Sequence, residues 1–115
     1  MATKWTSVVA CCLAFTCSSA EPQLTLALQA YSFKDRTMVD TIETAKRLGF
    51  KAIELTPVQK LGGPFTGSVR HSDMSPETVK AVRASLDGCG IQALSYGVVN
   101  AKDEAGWRKQ FEFVK

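Results

Sequence analysis

The feature that most constrains this chain is an alternation. Short apolar runs that suit strands are each followed by a segment with apolar residues at helical spacing. Leu24 to Ala30 is the first run, and its near-continuous apolar character suits a strand covered on both faces. Thr37 then stands as a helix N-cap, with Asp40 three residues on to favour the helix N-terminus. Val39, Ile42, Ala45 and Leu48 recur on one side, Glu43, Lys46 and Arg47 on the other, and Gly49 supplies the stop. Phe50 to Leu55 is the second strand, with Ala52 to Leu55 as its core. Ser75 caps the next helix, Pro76 fits its first position and Glu77 favours its first turn. Val79, Val82 and Leu86 form its inner stripe, and Gly88 or Gly90 ends it. Ile91 to Val99 is the third strand. A third helix begins near Asp103 or Glu104, with Trp107, Phe111 and Val114 at i, i+4 and i+7.

The order β-α-β-α-β-α predicts an α/β fold of parallel strands joined by right-handed crossovers. Leu28 to Ile53 is 25 positions and Ile53 to Leu94 is 41. The surplus is roughly the stretch Thr56–Asp73, read as a long loop containing Pro57, Gly62-Gly63-Pro64 and Gly67. A loop of that length in a compact unit is uncommon unless it is functional or disordered. Three parallel strands without closure also leave open edges, which predicts a marginal, self-associating chain.

In parallel α/β folds ligands bind beyond the carboxyl ends of the strands. The three strand exits are Tyr31-Ser32-Phe33, Glu54-Leu55-Thr56-Pro57 and Ser95-Tyr96-Gly97, and the long loop carrying His71 lies at the same end. The opposite connections, Gly49 to Lys51 and Gly88 to Ile91, are tight. Glu54 at a strand exit can act as a base, bind a cation or hydrogen-bond a sugar hydroxyl, or it can cap a turn or pair with a lysine. His71, the only histidine, is either a solvated loop residue or a substrate contact. Tyr31, Phe33 and Tyr96 either stack on a sugar ring or plug the end of the sheet. Gly62-Gly63 has no following Lys-Ser pair and opens no helix, so it is not a phosphate loop.

The first twenty residues stand apart. Lys4 is the only charge in residues 1–20, an apolar stretch runs from Val8 to Phe15, and Ser18-Ser19-Ala20 places small residues where a signal peptidase reads. This is the pattern of a secretory signal, too short to span a bilayer, which needs roughly 20 apolar residues. The expected division is a signal peptide over 1–20 and a mature domain over 21–115, secreted or periplasmic, with no stable membrane association after cleavage. Cys11, Cys12 and Cys17 fall in the signal. Cys89 alone remains, between two glycines, so the mature chain is no disulfide scaffold, and Cys89 reads as a small packing residue. The 14 basic and 11 acidic residues are spread so evenly that no run of Lys or Arg exceeds two, and a nucleic-acid surface is not expected.

The stretches "LALQAYSFKD", "LGFKAIELTPVQKLGG", "HSDMSPETVKAVRASLDGCGIQALSYGVV" and "WRKQFEFVK", in that order and spacing, resemble the sugar phosphate isomerase/epimerase family. It belongs to the xylose isomerase-like TIM barrel superfamily, with endonuclease IV and inosose dehydratase. The resemblance covers almost all of Leu24 to Lys115. It implies a partial (β/α)8 barrel: the first three βα units, the N-terminal portion, of an eight-stranded domain of roughly 250 residues. It also implies a proton or hydride shift between adjacent carbons of a sugar, sugar phosphate or polyol, assisted by a divalent metal such as Mg, Mn or Zn. The family's metal ligands lie on later strands, so this segment is expected to bind no metal and to be inactive alone. The positional matches to the pocket wall are Tyr31 and Phe33, Glu54 as the catalytic carboxylate, His71, and Tyr96. The competing reading is a non-catalytic truncated fragment or carbohydrate-binding remnant. An endonuclease-like reading is weaker, because three zinc ions need several histidines.

Overall fold

The computed structural model describes residues 24–115. The signal segment read over 1–20, with Cys11, Cys12 and Cys17, lies outside the described residues. Three parallel strands form one sheet in the order β1 (Ala27–Gln29), β2 (Ala52–Leu55), β5 (Gln92–Tyr96). Helix α1 (Met38–Arg47) connects the first two and α2 (Pro76–Cys89) precedes the third; α3 (Glu104–Val114) follows it. Between β2 and α2 the chain makes a hairpin, β3 (Lys60–Gly62) with β4 (Phe65–Ser68), antiparallel. The alternating α/β order and the parallel pairing are as the apolar pattern requires.

The helix signals are local, and they form where the side chains stand. Thr37 Oγ1 accepts the Asp40 backbone N–H at 3.2 Å, and the Asp40 carboxylate accepts the Thr37 N–H at 3.3 Å, a reciprocal capping box. Ser75 accepts the Thr78 N–H at 3.2 Å with Pro76 in the first helical position, and Asp103 accepts the Gly106 N–H at 2.8 Å. Gly90 closes α2 in the left-handed conformation at φ 66°.

The buried stripe of α1 is Met38, Thr41, Ile42 and Ala45, one position out of phase with the Val39 and Leu48 ends of the expected stripe. Leu48 caps the helix and stays exposed. Met38, Ile42 and Ala45 pack with Leu28, Ala30, Ile53, Val82, Leu86 and Ile91 into one core on the helical side of the sheet. The first strand is shorter than expected. Leu24 and Leu26 lie outside it, 93% and 76% exposed, and Ala27 and Gln29 are also exposed, so β1 is covered on one face only.

The stretch read as an unstructured loop, Thr56–Asp73, is instead a folded flap. Leu61 and Val69 are fully buried and carry it onto the core. Gln59, also fully buried, donates through Nε2 to the Phe33 carbonyl at 3.0 Å and to Thr41 Oγ1 at 2.8 Å. One amide thus ties the exit of β2 to the exit of β1 and to α1. The turn needs glycine for a second reason besides its φ of 78° at Gly62: a Cβ there would sit 2.5 Å from the Thr37 hydroxyl and 2.6 Å from its Cγ2. The flap therefore presses its backbone directly against the N-cap of α1.

Gly62→Ala is expected to destabilise the chain by about 2–3 kcal/mol, from overpacking plus a left-handed alanine. Urea denaturation followed by far-UV circular dichroism measures this, and a midpoint equal to wild type would contradict the close contact.

Candidate functional site

The parallel register sets one polar row across the sheet. Gln29 lies opposite Glu54, and Glu54 lies opposite Ser95. The second pairing depends on an irregularity: Ile53 pairs with Ala93, yet Glu54 pairs with Ser95, skipping Leu94. A bulge of this kind re-aims side chains, and here it puts a hydroxyl rather than an isobutyl group beside the carboxylate. Gln29 Nε2 donates to Glu54 Oε1 at 3.1 Å, and Ser95 Oγ donates to Glu54 Oε2 at 2.7 Å. Both oxygens of a half-buried carboxylate are therefore fixed in direction by neighbours on either strand.

The Ser95 hydroxyl, and after it the Gln29 amide, hold the Glu54 carboxyl below the ordinary glutamate value; desolvation opposes them weakly. Glu54 forms no ion pair among the described residues. It stands as an ionised, oriented and uncompensated charge near the C-terminal end of the central strand.

The other residues read from the sequence divide around it. Tyr31 follows β1 in a 3-10 turn (Ala30–Phe33) and is exposed at the rim. Phe33 ends that turn and packs against the core, its carbonyl occupied by Gln59. Tyr96, next to Ser95, faces the opposite side of the strand, as consecutive strand residues must, and packs with the core. It meets Phe113 edge-on at 5.1 Å between ring centroids, and His71 approaches the same ring at 6.2 Å. Tyr96 and Phe113 line an apolar cleft of about 490 Å³ between β5, α2 and α3, with Leu55, Val82 and Leu86 among its other walls. Tyr96 and His71 therefore come together, but on the helical side of the sheet from Glu54. Burial pushes the Tyr96 phenol above its usual value, partly countered by the charge of Arg70.

Gln29 and Ser95 carry the site and were not singled out from the sequence. The available signal was a polar residue inside an apolar strand at the level of a strand-exit carboxylate. One carboxylate whose oxygens both already accept hydrogen bonds is a poor donor set for a divalent ion, which takes about six oxygen ligands. Among the described residues no group of three or more His, Cys, Asp or Glu is placed to hold one.

No family model and no curated protein matches the chain. The crystal structure of an uncharacterized protein from Parabacteroides distasonis ATCC 8503 is similar, with a TM-score of 0.74 and 25% sequence identity, over 78% of this chain. The match covers 38% of that protein's length. It supports an α/β arrangement with a three-stranded parallel sheet and carries no activity to compare.

Two titrations test this geometry. Ser95→Ala removes the larger of the two hydrogen bonds and is expected to raise the Glu54 pKa towards the ordinary glutamate value, read from the side-chain carboxyl carbon by NMR; an unmoved value would contradict the bond. For Tyr96 the folded pKa is raised, so its contribution to stability is intact below about 10, the unfolded value, and declines as pH rises towards the folded one. Absorbance at 295 nm should show a late-ionising phenol in the folded protein that disappears in Tyr96→Phe.

Proposed function

We propose that this chain is the carbohydrate-holding part of a sugar or sugar phosphate isomerase or epimerase of the xylose isomerase-like TIM barrel kind, with Glu54 receiving sugar hydroxyls. What supports the reading is the polar row Gln29–Glu54–Ser95, at the end of a parallel sheet where α/β folds bind ligands. A carboxylate held in direction by two donors makes charge-assisted hydrogen bonds to hydroxyl groups, stronger than those of a neutral acceptor. The motifs quoted above resemble those of the family, and the row gives a physical use for the carboxylate at the end of the second strand.

The direction of the Glu54 pKa bears on its role. A general base works best with a pKa near the operating pH. Glu54 is shifted the other way, so it is a weak base and a persistent charge. A lone carboxylate also leaves an enediolate without an electrophile to stabilise it. These two facts favour binding and orientation over proton transfer at Glu54, and they keep alive the second reading, a carbohydrate-binding unit without catalysis. On either reading the partner is a small sugar molecule.

Saturation-transfer NMR with D-xylose and D-fructose tests the proposal. Both sugars should give signal with the wild-type chain, and Glu54→Gln should weaken binding about tenfold, as expected for loss of a charged acceptor worth ~1.5 kcal/mol or more. Equal binding by the variant would remove Glu54 from the site. Conversion of D-xylose to its ketose or epimer, followed by NMR, separates an isomerase or epimerase from a binding unit, and deuterium uptake in D2O at the carbon next to the carbonyl then distinguishes proton transfer from a hydride shift.

A further inference from the structure

The hydrogen-bond valences left open in the polar row specify the kind of ligand end it accepts. Resting on the reading of this row as a sugar site, we infer that it holds a neutral vicinal diol and excludes phosphate, so a sugar phosphate would keep its phosphate away from Glu54. Gln29 spends one amide hydrogen on Glu54 Oε1, and Ser95 spends its only hydroxyl hydrogen on Glu54 Oε2. Each Glu54 oxygen keeps a lone pair, Ser95 Oγ keeps its own, and Gln29 keeps its carbonyl oxygen. Against these acceptors stands one free donor, the second amide hydrogen of Gln29. The row therefore presents acceptors to whatever approaches.

A phosphate monoester dianion brings acceptors only and meets acceptor against acceptor and charge against charge; inorganic phosphate keeps a P–OH donor but still brings its negative charge against the carboxylate. No lysine or arginine pairs with Glu54 among the described residues to soften that repulsion. Two adjacent hydroxyls bring two donors for the carboxylate and two acceptors, one of which the free Gln29 hydrogen can meet. Adjacent hydroxyls also match the chelating geometry of a carboxylate whose two oxygens are fixed. Ser95 is thereby a specificity-determining residue: its hydroxyl is turned into an acceptor towards the ligand because its hydrogen is committed to Glu54.

The test is NMR of the full chain, observing the Glu54 carboxyl carbon and the Gln29 side-chain amide during titration with D-fructose, D-fructose 6-phosphate and inorganic phosphate. D-Fructose is expected to shift both signals. Inorganic phosphate at equal concentration should shift neither. The phosphate ester should bind at this row no more tightly than the free sugar. Ser95→Ala, checked for a wild-type backbone spectrum, should weaken D-fructose about fivefold, the order of one hydrogen bond. Shifts at Glu54 caused by inorganic phosphate, or an ester that binds more tightly than the free sugar, would overturn the inference and leave the sugar site standing. Absence of any sugar-dependent shift at Glu54 would instead overturn the functional reading, and the inference with it.

Discussion

Everything in this structure depends on β2 being hydrogen-bonded on both sides by parallel neighbours. Parallel pairing cannot be closed by a tight turn, so each connection must carry a helix back along the sheet. That requirement sends both helices to one side and brings all three carboxyl ends to one edge. The connections at the other edge are then reduced to a glycine stop and a residue or two, as at Gly49 and Gly90. The polar row follows from the same pairing, because only strands in register can bring a residue of β1 and one of β5 to the same carboxylate.

The core is held to one side of the sheet, and its polar exception explains the flap. Gln59 is fully buried, and its Nε2 donates to the Phe33 carbonyl and the Thr41 hydroxyl, while its Oε1 has no partner among the described residues. Thr41 in turn donates to the Thr37 carbonyl at 2.9 Å. The flap, the exit of β1 and the first turn of α1 are thus one hydrogen-bonded unit, sealed by Leu61 and Val69. A stretch rich in glycine and proline reads as a loop by composition, yet two buried apolar side chains and one buried amide are enough to fold it.

The third helix shows the opposite relation between pattern and packing. Trp107, Phe111 and Val114 form an apolar stripe at helical spacing, but Phe111 is 64% exposed and Val114 50%, while Gln110 is buried and Phe113 meets Tyr96 and His71. Periodicity finds the helix. It does not choose which face meets the sheet, because that depends on where the preceding loop delivers the chain.

From the sequence alone came the α/β class, the three helices with the N-caps of the first two, the central segment Ala52–Leu55 and the placement of Glu54 at a strand exit. These are local or nearly local facts: a cap needs its partner three residues away, and an apolar run carries its own period. The companions of Glu54 were decided only by tertiary structure. Gln29 and Ser95 are 25 and 41 residues from it, and a single skipped residue, Leu94, determines that a hydroxyl and not an alkyl chain stands opposite. The same holds for the separation of Tyr96 and His71 from Glu54. One-residue alternation along a strand assigns sides, but which side is helical and which is open is fixed when the strands pair and the helices settle, and no stretch of chain records that by itself.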